Sequence, residues 1–188
     1  MDEKNKKFKN SLTIIDPRRT LLLSGNFGEN EADGIVTKLF ELGKDAEKGI
    51  YLQINSKGGS YVGGMKIYDA MRNTQATITG IVTGDAFSMA AIVLQGCDHR
   101  AATKNSRILF HHISLDPHLK IEPDSKVADF SKRLQEEIDE LIGKNEAIKE
   151  ILAERVTEDF GDLDLFLKAE RILPARRALL LNLIDEII

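Results

Sequence analysis

Ser88 lies in TGDAFSMAA (residues 83–91), where an apolar run rich in Thr, Ile and Val gives way to an apolar helical pattern. A serine at a helix start sits among free backbone N–H groups and at the positive end of the helix dipole, and both stabilise an anion. Ser88 therefore reads as a nucleophile, with the Met89 amide as a donor to an oxyanion. The plainer reading is an N-cap, whose hydroxyl only accepts a backbone hydrogen bond. A second strand-to-helix turn, NSKGGSYVGG (residues 55–64), contains the adjacent pair Gly58 and Gly59. A plain tight turn accounts for such a pair, but so does an oxyanion hole, where backbone N–H groups must approach a developing negative oxygen. A phosphate cradle fits less well. Walker A needs Gly-Lys-Ser/Thr, whereas Gly64 leads into Met65 and Lys66, and the G-x-G-x-x-G spacing is also absent. Neither Ser60 nor Ser88 sits in the G-x-S-x-G elbow of α/β-hydrolases.

A serine nucleophile needs a base, and the histidines are His99, His111, His112 and His118. His111 and His112 fall in the apolar run 107–113, which places them near a strand end, where ligands gather in parallel α/β sheets. A metal held by His111, His112, His118 and Asp116 is the rival reading. Consecutive residues of a strand point to opposite faces, which opposes shared coordination.

These residues need a scaffold. Short apolar runs at 20–24, 50–54, 77–83 and 107–113 are the expected strands. Helical spacing at 31–42, 62–71 and 88–94 alternates with them. Alternation of this kind, with strands apolar on both faces, predicts an α/β fold with a mainly parallel sheet covered by helices. Residues 124–155 carry Phe130, Leu134, Ile138, Leu141, Ile148 and Leu152 at helical spacing, as one long helix or two. A helix of about 30 residues extends about 45 Å, so it is expected to project and pack on another subunit. Pro174 opens a last helix, 175–181, ahead of an apolar end at 183–188.

Composition narrows the classes. The chain has 188 residues, enough for one domain, with 42% apolar and 30% charged residues. Its 26 Lys and Arg against 30 Asp and Glu give a net charge of −4, without the basic stripe that nucleic acid demands. The single Cys97 forms no intrachain disulfide, and no run of apolar residues is long enough to span a membrane. The expectation is a cytoplasmic protein in a reducing compartment, with no nucleic-acid or membrane partner.

Three motifs in order carry a family resemblance. INSKGGSYVGGMKIYDAM (54–71) resembles the INSPGG segment and following helix of the Clp protease proteolytic subunits, GDAFSMA (84–90) resembles their nucleophile turn, and NSRILFH (105–111) resembles the segment with their catalytic histidine. The resemblance runs from about residue 20 to residue 188. It implies a crotonase-like α/β fold in one peptidase domain: an N-terminal segment at 1–19, a head at 20–118 and 156–188, and a handle at 119–155. It further implies a serine endopeptidase in which Ser88 attacks the peptide carbonyl, His111 moves its proton, and the amides of Gly59 and Met89 hold the oxyanion. Two residues compete to orient His111. Glu170 keeps register to Asp185 without a gap and is favoured, while Asp164 copies the Asp-x-Phe-Leu pattern at the cost of an insertion. Self-assembly into a ring of seven, possibly stacked to fourteen, is implied, as is an AAA+ ATPase unfoldase that feeds unfolded proteins or peptides. ATP would be used by that partner, and this chain needs no cofactor or metal.

The chain departs from the family in places. His112 and Ile113 replace the usual Gln-Pro after the histidine, the axial-loop segment is shortened, and Lys168 and Ala169 fall where a charged pair usually joins rings. A non-catalytic ring subunit is one alternative. A crotonase-type acyl-CoA enzyme is another, and a serine–lysine peptidase a third, for which Lys104 is the only lysine between Ser88 and His111.

Overall fold

A computed structural model describes residues 15–114, 127–157 and 161–188. The expected alternation is present. Strand β1 (Thr20–Phe27) leads to helix α1 (Glu29–Gly43), β2 (Ile50–Gly59) to α2 (Tyr61–Arg72), and β3 (Ile78–Phe87) to α3 (Met89–Gln95). Then come β4 (His99–Ala102), β5 (Arg107–Leu109), α4 (Val127–Ala153), α5 (Leu163–Lys168), β6 (Leu173–Pro174), α6 (Ala175–Leu180) and β7 (Glu186–Ile187). The fold is a mixed α/β structure with a mainly parallel sheet and flanking helices.

The sheet runs β1-β2-β3-β4-β7, all parallel, and β3 forks. Its first half pairs β4 (Thr79↔His99 to Val82↔Ala102), and its last three residues pair β5 (Asp85↔Arg107 to Phe87↔Leu109). The fork is held where Thr103 N–H and Ser106 Oγ both donate to the Val82 carbonyl, at 2.9 and 2.8 Å. Because the sheet splits there, β5 is carried beside the end of β3, and the residues after each strand are brought together.

β1 and β2 do not follow the expectation of strands apolar on both faces. They alternate: Leu21, Leu23, Leu52 and Ile54 face the helices, while Leu22, Gln53, Asn55 and Lys57 look outward. One buried face suffices here, because α1, α2 and α3 all pack against the same side. The long helical region expected at 124–155 is a single helix over its described length, Val127–Ala153. Ile148, Ile151 and Leu152 enter the core, whereas Leu134, Ile138 and Leu141 are only partly covered and Ile142 is 54% exposed. Residues 124–126 of the expected helix lie outside the described residues. β4, α5, β6 and β7 were not anticipated; His99–Ala102 carries two charged-type side chains and no apolar run.

The chain end is fixed to the core by charge. The Arg100 guanidinium, 3% exposed, donates to both Asp185 oxygens (3.0 and 2.6 Å) and to Gln95 Oε1 (2.7 Å). Asp185 N–H donates to the Arg100 carbonyl at 2.7 Å, and Arg100 N–H to Asp185 Oδ2 at 2.8 Å. This lattice aligns β7 on β4. Among the described residues no helix is long and apolar enough to cross a membrane.

Candidate active site

The two turns that carry the candidate chemistry meet at the fork. Ser88 lies between β3 and α3 with φ 54° and ψ −131°, a left-handed backbone that side chains rarely adopt. Its N–H donates to the Leu109 carbonyl of β5 at 2.9 Å. Gly58, with φ 102°, lies against it: a Cβ there would come within 2.7 Å of Ser88 Cβ and 2.8 Å of the Phe87 carbonyl. Only glycine leaves room for this approach. The Gly58 N–H is in turn held by the buried Ser56 hydroxyl at 3.0 Å.

The N-cap reading of Ser88 fails, because its side chain caps nothing in α3. Ser60 does that work for α2, accepting from Gly63 N–H at 3.1 Å. Ser88 Oγ instead lies 2.8 Å from His111 Nε2. The other ring nitrogen, Nδ1, is 2.6 Å from the His112 carbonyl oxygen. A carbonyl can only accept, so Nδ1 carries the proton and Nε2 of the neutral ring has the free lone pair. The Ser88 hydroxyl therefore donates to His111, which is the tautomer a general base requires.

Met89 is the first residue of α3, so its N–H has no intrahelical acceptor. Gly59 lies tight against β1: a Cβ there would run into the Phe27 main chain, and the next residue, Ser60, donates its N–H to the Phe27 carbonyl at 2.9 Å. Of the two residues expected to supply oxyanion donors, Met89 directly follows Ser88, and Gly59 directly follows Gly58, which packs on Ser88. At the same strand ends Asp85 accepts from Arg107 Nε and Nη2, both at 2.8 Å, and from Lys57 Nζ at 2.6 Å. It ties β2, β3 and β5 together two residues before the turn. The Arg107 guanidinium, with Lys57 added, holds the Asp85 carboxyl below the usual carboxylate range against the opposing effect of burial. Burial pushes the Cys97 thiol up to about 12, so it is no rival nucleophile.

Neither acidic candidate reaches His111. Glu170 follows α5, is exposed, and has φ 46°. α5 was not foreseen, and Glu170 takes the left-handed position that ends such a helix, which carries its side chain to solvent rather than to the imidazole. Asp164, on the first turn of α5, meets the neighbouring ring, with Oδ1 3.2 Å from His112 Nε2, and meets Lys149 Nζ at 3.3 Å. The Lys149 ammonium, and then the His112 ring, hold its carboxyl below the ordinary value. The structure does not bring Glu170, the favoured candidate, into hydrogen-bonding contact with His111. A contact that the residues did not suggest is the one from Asn145 of α4 to the chain after His112: Asn145 Oδ1 accepts from Ile113 N–H at 2.8 Å. The one signal was a polar residue interrupting the stripe of Leu141, Ile148 and Leu152. His118 and Asp116, the rest of the alternative metal set, lie outside the described residues. Among the described residues no three His, Cys, Asp or Glu side chains are grouped to hold a metal ion.

A hydroxyl set against an imidazole at the end of a parallel sheet is an arrangement that serine-dependent hydrolases use. The chain belongs to the Clp protease family, whose model matches residues 3–188. It is 30% identical over 172 residues to the ATP-dependent Clp protease proteolytic subunit of Ligilactobacillus salivarius, covering 90% of this chain and 82% of that protein. Over 173 residues it is 28% identical to ATP-dependent Clp protease proteolytic subunit 1 of Borreliella burgdorferi, covering 90% and 84%. The corresponding subunit of Pleurastrum terricola is 27% identical over 170 residues, covering 89% and 82%.

Proposed function

We propose that this chain is a serine endopeptidase that cleaves unfolded proteins or peptides inside an oligomeric chamber. The observation that carries the reading is the 2.8 Å contact between Ser88 Oγ and His111 Nε2 in the tautomer fixed by the His112 carbonyl. In this reading Ser88 Oγ attacks the scissile carbonyl while His111 Nε2 takes the hydroxyl proton. The carbonyl oxygen becomes an oxyanion held by the Gly59 and Met89 amides. His111 then returns the proton to the leaving amine, and a water, activated by the same ring, releases the acyl group. Labelling with a fluorophosphonate, which traps an activated serine, followed by sizing of the labelled species, tests nucleophile and assembly together. Absence of label on a correctly assembled protein favours a non-catalytic ring subunit.

The chamber reading rests on α4. In a handle at 119–155 flanked by a head at 20–118 and 156–188, the half-covered stripe of Leu134, Ile138 and Leu141 finds its cover on other subunits, in a ring of seven or two stacked rings. Leu134→Asp combined with Ile138→Asp is expected to yield smaller species in sedimentation, since desolvating two unpaired carboxylates at an interface is costly. Retention of the wild-type size with both substitutions defeats the proposed interface. The relatives are named ATP-dependent. We assign ATP use to a separate AAA+ unfoldase that delivers substrate, because the glycine pair of this chain lies against Ser88 and β1 instead of forming a phosphate loop; a cytoplasmic location is part of the same proposal.

A further inference from the structure

We propose that Asp85 is a positioning residue of the reaction: its carboxylate, shared by Lys57 and Arg107, sets the Ser88 turn in line with the glycine turn and with the strand that leads to His111. The inference rests on the serine-peptidase reading. It starts from two breaks in strand register that lie side by side. Along β1 and β2 the partners run Gly25↔Ser56 and then Asn26↔Gly58, so Lys57 is an extra residue in β2 with no partner in β1. Along β2 and β3 they run Ile54↔Val82 and then Ser56↔Ala86, so β3 has three residues, Thr83 to Asp85, where β2 has only Asn55. The ladder between β2 and β3 ends at Ser56, although β2 itself continues to Gly59. No ladder bond between these strands is left to fix Ser88 against Gly58 and Gly59.

Side chains take over that task. Asn55 Oδ1 accepts from Asp85 N–H at 3.1 Å, across the break in β3. The Asp85 carboxylate accepts from Lys57 Nζ at 2.6 Å and grips the Arg107 guanidinium with both oxygens at 2.8 Å. The extra residue of one strand is thus tied to an extra residue of the next. Arg107 opens β5, which pairs with the end of β3 and leads to His111. One carboxylate, 13% exposed, therefore joins the strand of Gly58 and Gly59, the strand before Ser88 and the strand before His111. Phe87, the residue that precedes Ser88, is held by the same two cations: Lys57 Nζ lies 4.5 Å from its ring centroid and the Arg107 guanidinium carbon 5.4 Å. With the carboxylate gone, two like charges would face each other beside the turn and push the flanking strands apart. A shift of that kind moves the hydroxyl relative to the scissile carbonyl without removing a contact to substrate, so its cost falls on kcat.

The test compares wild type, Asp85→Asn, Lys57→Gln and the double variant for hydrolysis of a fluorogenic peptide amide, fluorophosphonate labelling, elution volume and urea midpoint. Asp85→Asn should lower kcat by up to about a hundredfold, the effect of a misplacement of about 1 Å, with KM and elution volume unchanged. Lys57→Gln leaves the bidentate Arg107 pair in place and should lower kcat severalfold. Its urea midpoint should stay near that of wild type, because an ion pair with one exposed member contributes little to stability, so the lost rate is not lost folding. Both substitutions break the same lock, and the double variant should lose no more than Asp85→Asn alone. Wild-type kcat in Asp85→Asn overturns the proposal, as does a loss confined to KM, which would put the cluster in contact with substrate. So does multiplication of the two single losses in the double variant, the mark of independent sites. If Asp85→Asn does not fold, Lys57→Gln decides alone: this side chain is 61% exposed, and wild-type kcat on its removal overturns the proposal. Label on wild-type Ser88 together with full kcat in both single variants removes only this inference. Failure of the wild-type protein to take label at Ser88 removes the peptidase reading itself, and this inference with it.

Discussion

Ser88→Ala is expected to elute as wild type does yet cleave peptide at least ~10⁴-fold more slowly and take no fluorophosphonate, because nucleophile and base act as a unit. The substitution removes one oxygen from a half-buried position whose hydroxyl caps no helix, so folding has little to lose. The N–H bond to Leu109 and the contact with Gly58 remain. His111→Ala should lose nearly as much. His112→Ala should lose far less, for a reason different from the one its place in the sequence suggests: the alanine keeps the main-chain carbonyl that His111 uses, and only the contact with Asp164 goes. Initial-rate kinetics on the three variants check the order. Equal losses at 111 and 112 mean that the imidazole of His112 takes part in the reaction, and undiminished hydrolysis in Ser88→Ala removes Ser88 as the nucleophile.

Asp185→Ala should cost about 3 kcal/mol of stability, since deleting one partner of a buried pair strands the other. Arg100 is 3% exposed and would keep only Gln95, while β7 would lose the carboxylate that aligns it on β4. A lower urea midpoint at neutral pH measures this. The pH dependence has a definite sign. Burial raises the Asp185 carboxyl, but the hydrogen bonds and charge of Arg100 outweigh it, and the net displacement is downward. The folded protein then releases this proton more readily than the unfolded chain does. The contribution is complete above the ordinary carboxylate pKa of about 4 and is lost as pH falls through the lower folded value. Wild type should therefore approach the variant in stability in that acid window, whereas a constant gap between them down to pH 2 would show that the loss is not electrostatic.

What could be read beforehand divides along a physical line. Ser88, His111 and the glycine pair were legible because each closes a strand, and strands end where turn residues interrupt a short apolar run. The parallel sheet followed from the alternation of the two periodicities. The fork in β3 was not legible, since β4 and β5 are short and their pairing depends on Thr103 and Ser106 bending the chain between them. The orientation of Glu170 was not legible for a related reason. Matching residues without a gap counts positions along the chain, but direction is set by α5, six residues long, whose end turns Glu170 outward. The contact of Asn145 Oδ1 with the Ile113 N–H is not visible at this level, because its partner is a main-chain group that every residue but proline possesses.

The left-handed conformation of Ser88 has a consequence for how activity could be lost. Holding a serine at φ 54° and ψ −131° costs of order 1–3 kcal/mol, which the surrounding contacts must supply. Glycine occupies that region freely. Drift from serine to glycine at this one position would thus be rewarded by a tougher fold at the same moment that it silenced the chain, so selection for a purely architectural subunit and selection for a working one pull position 88 in opposite directions.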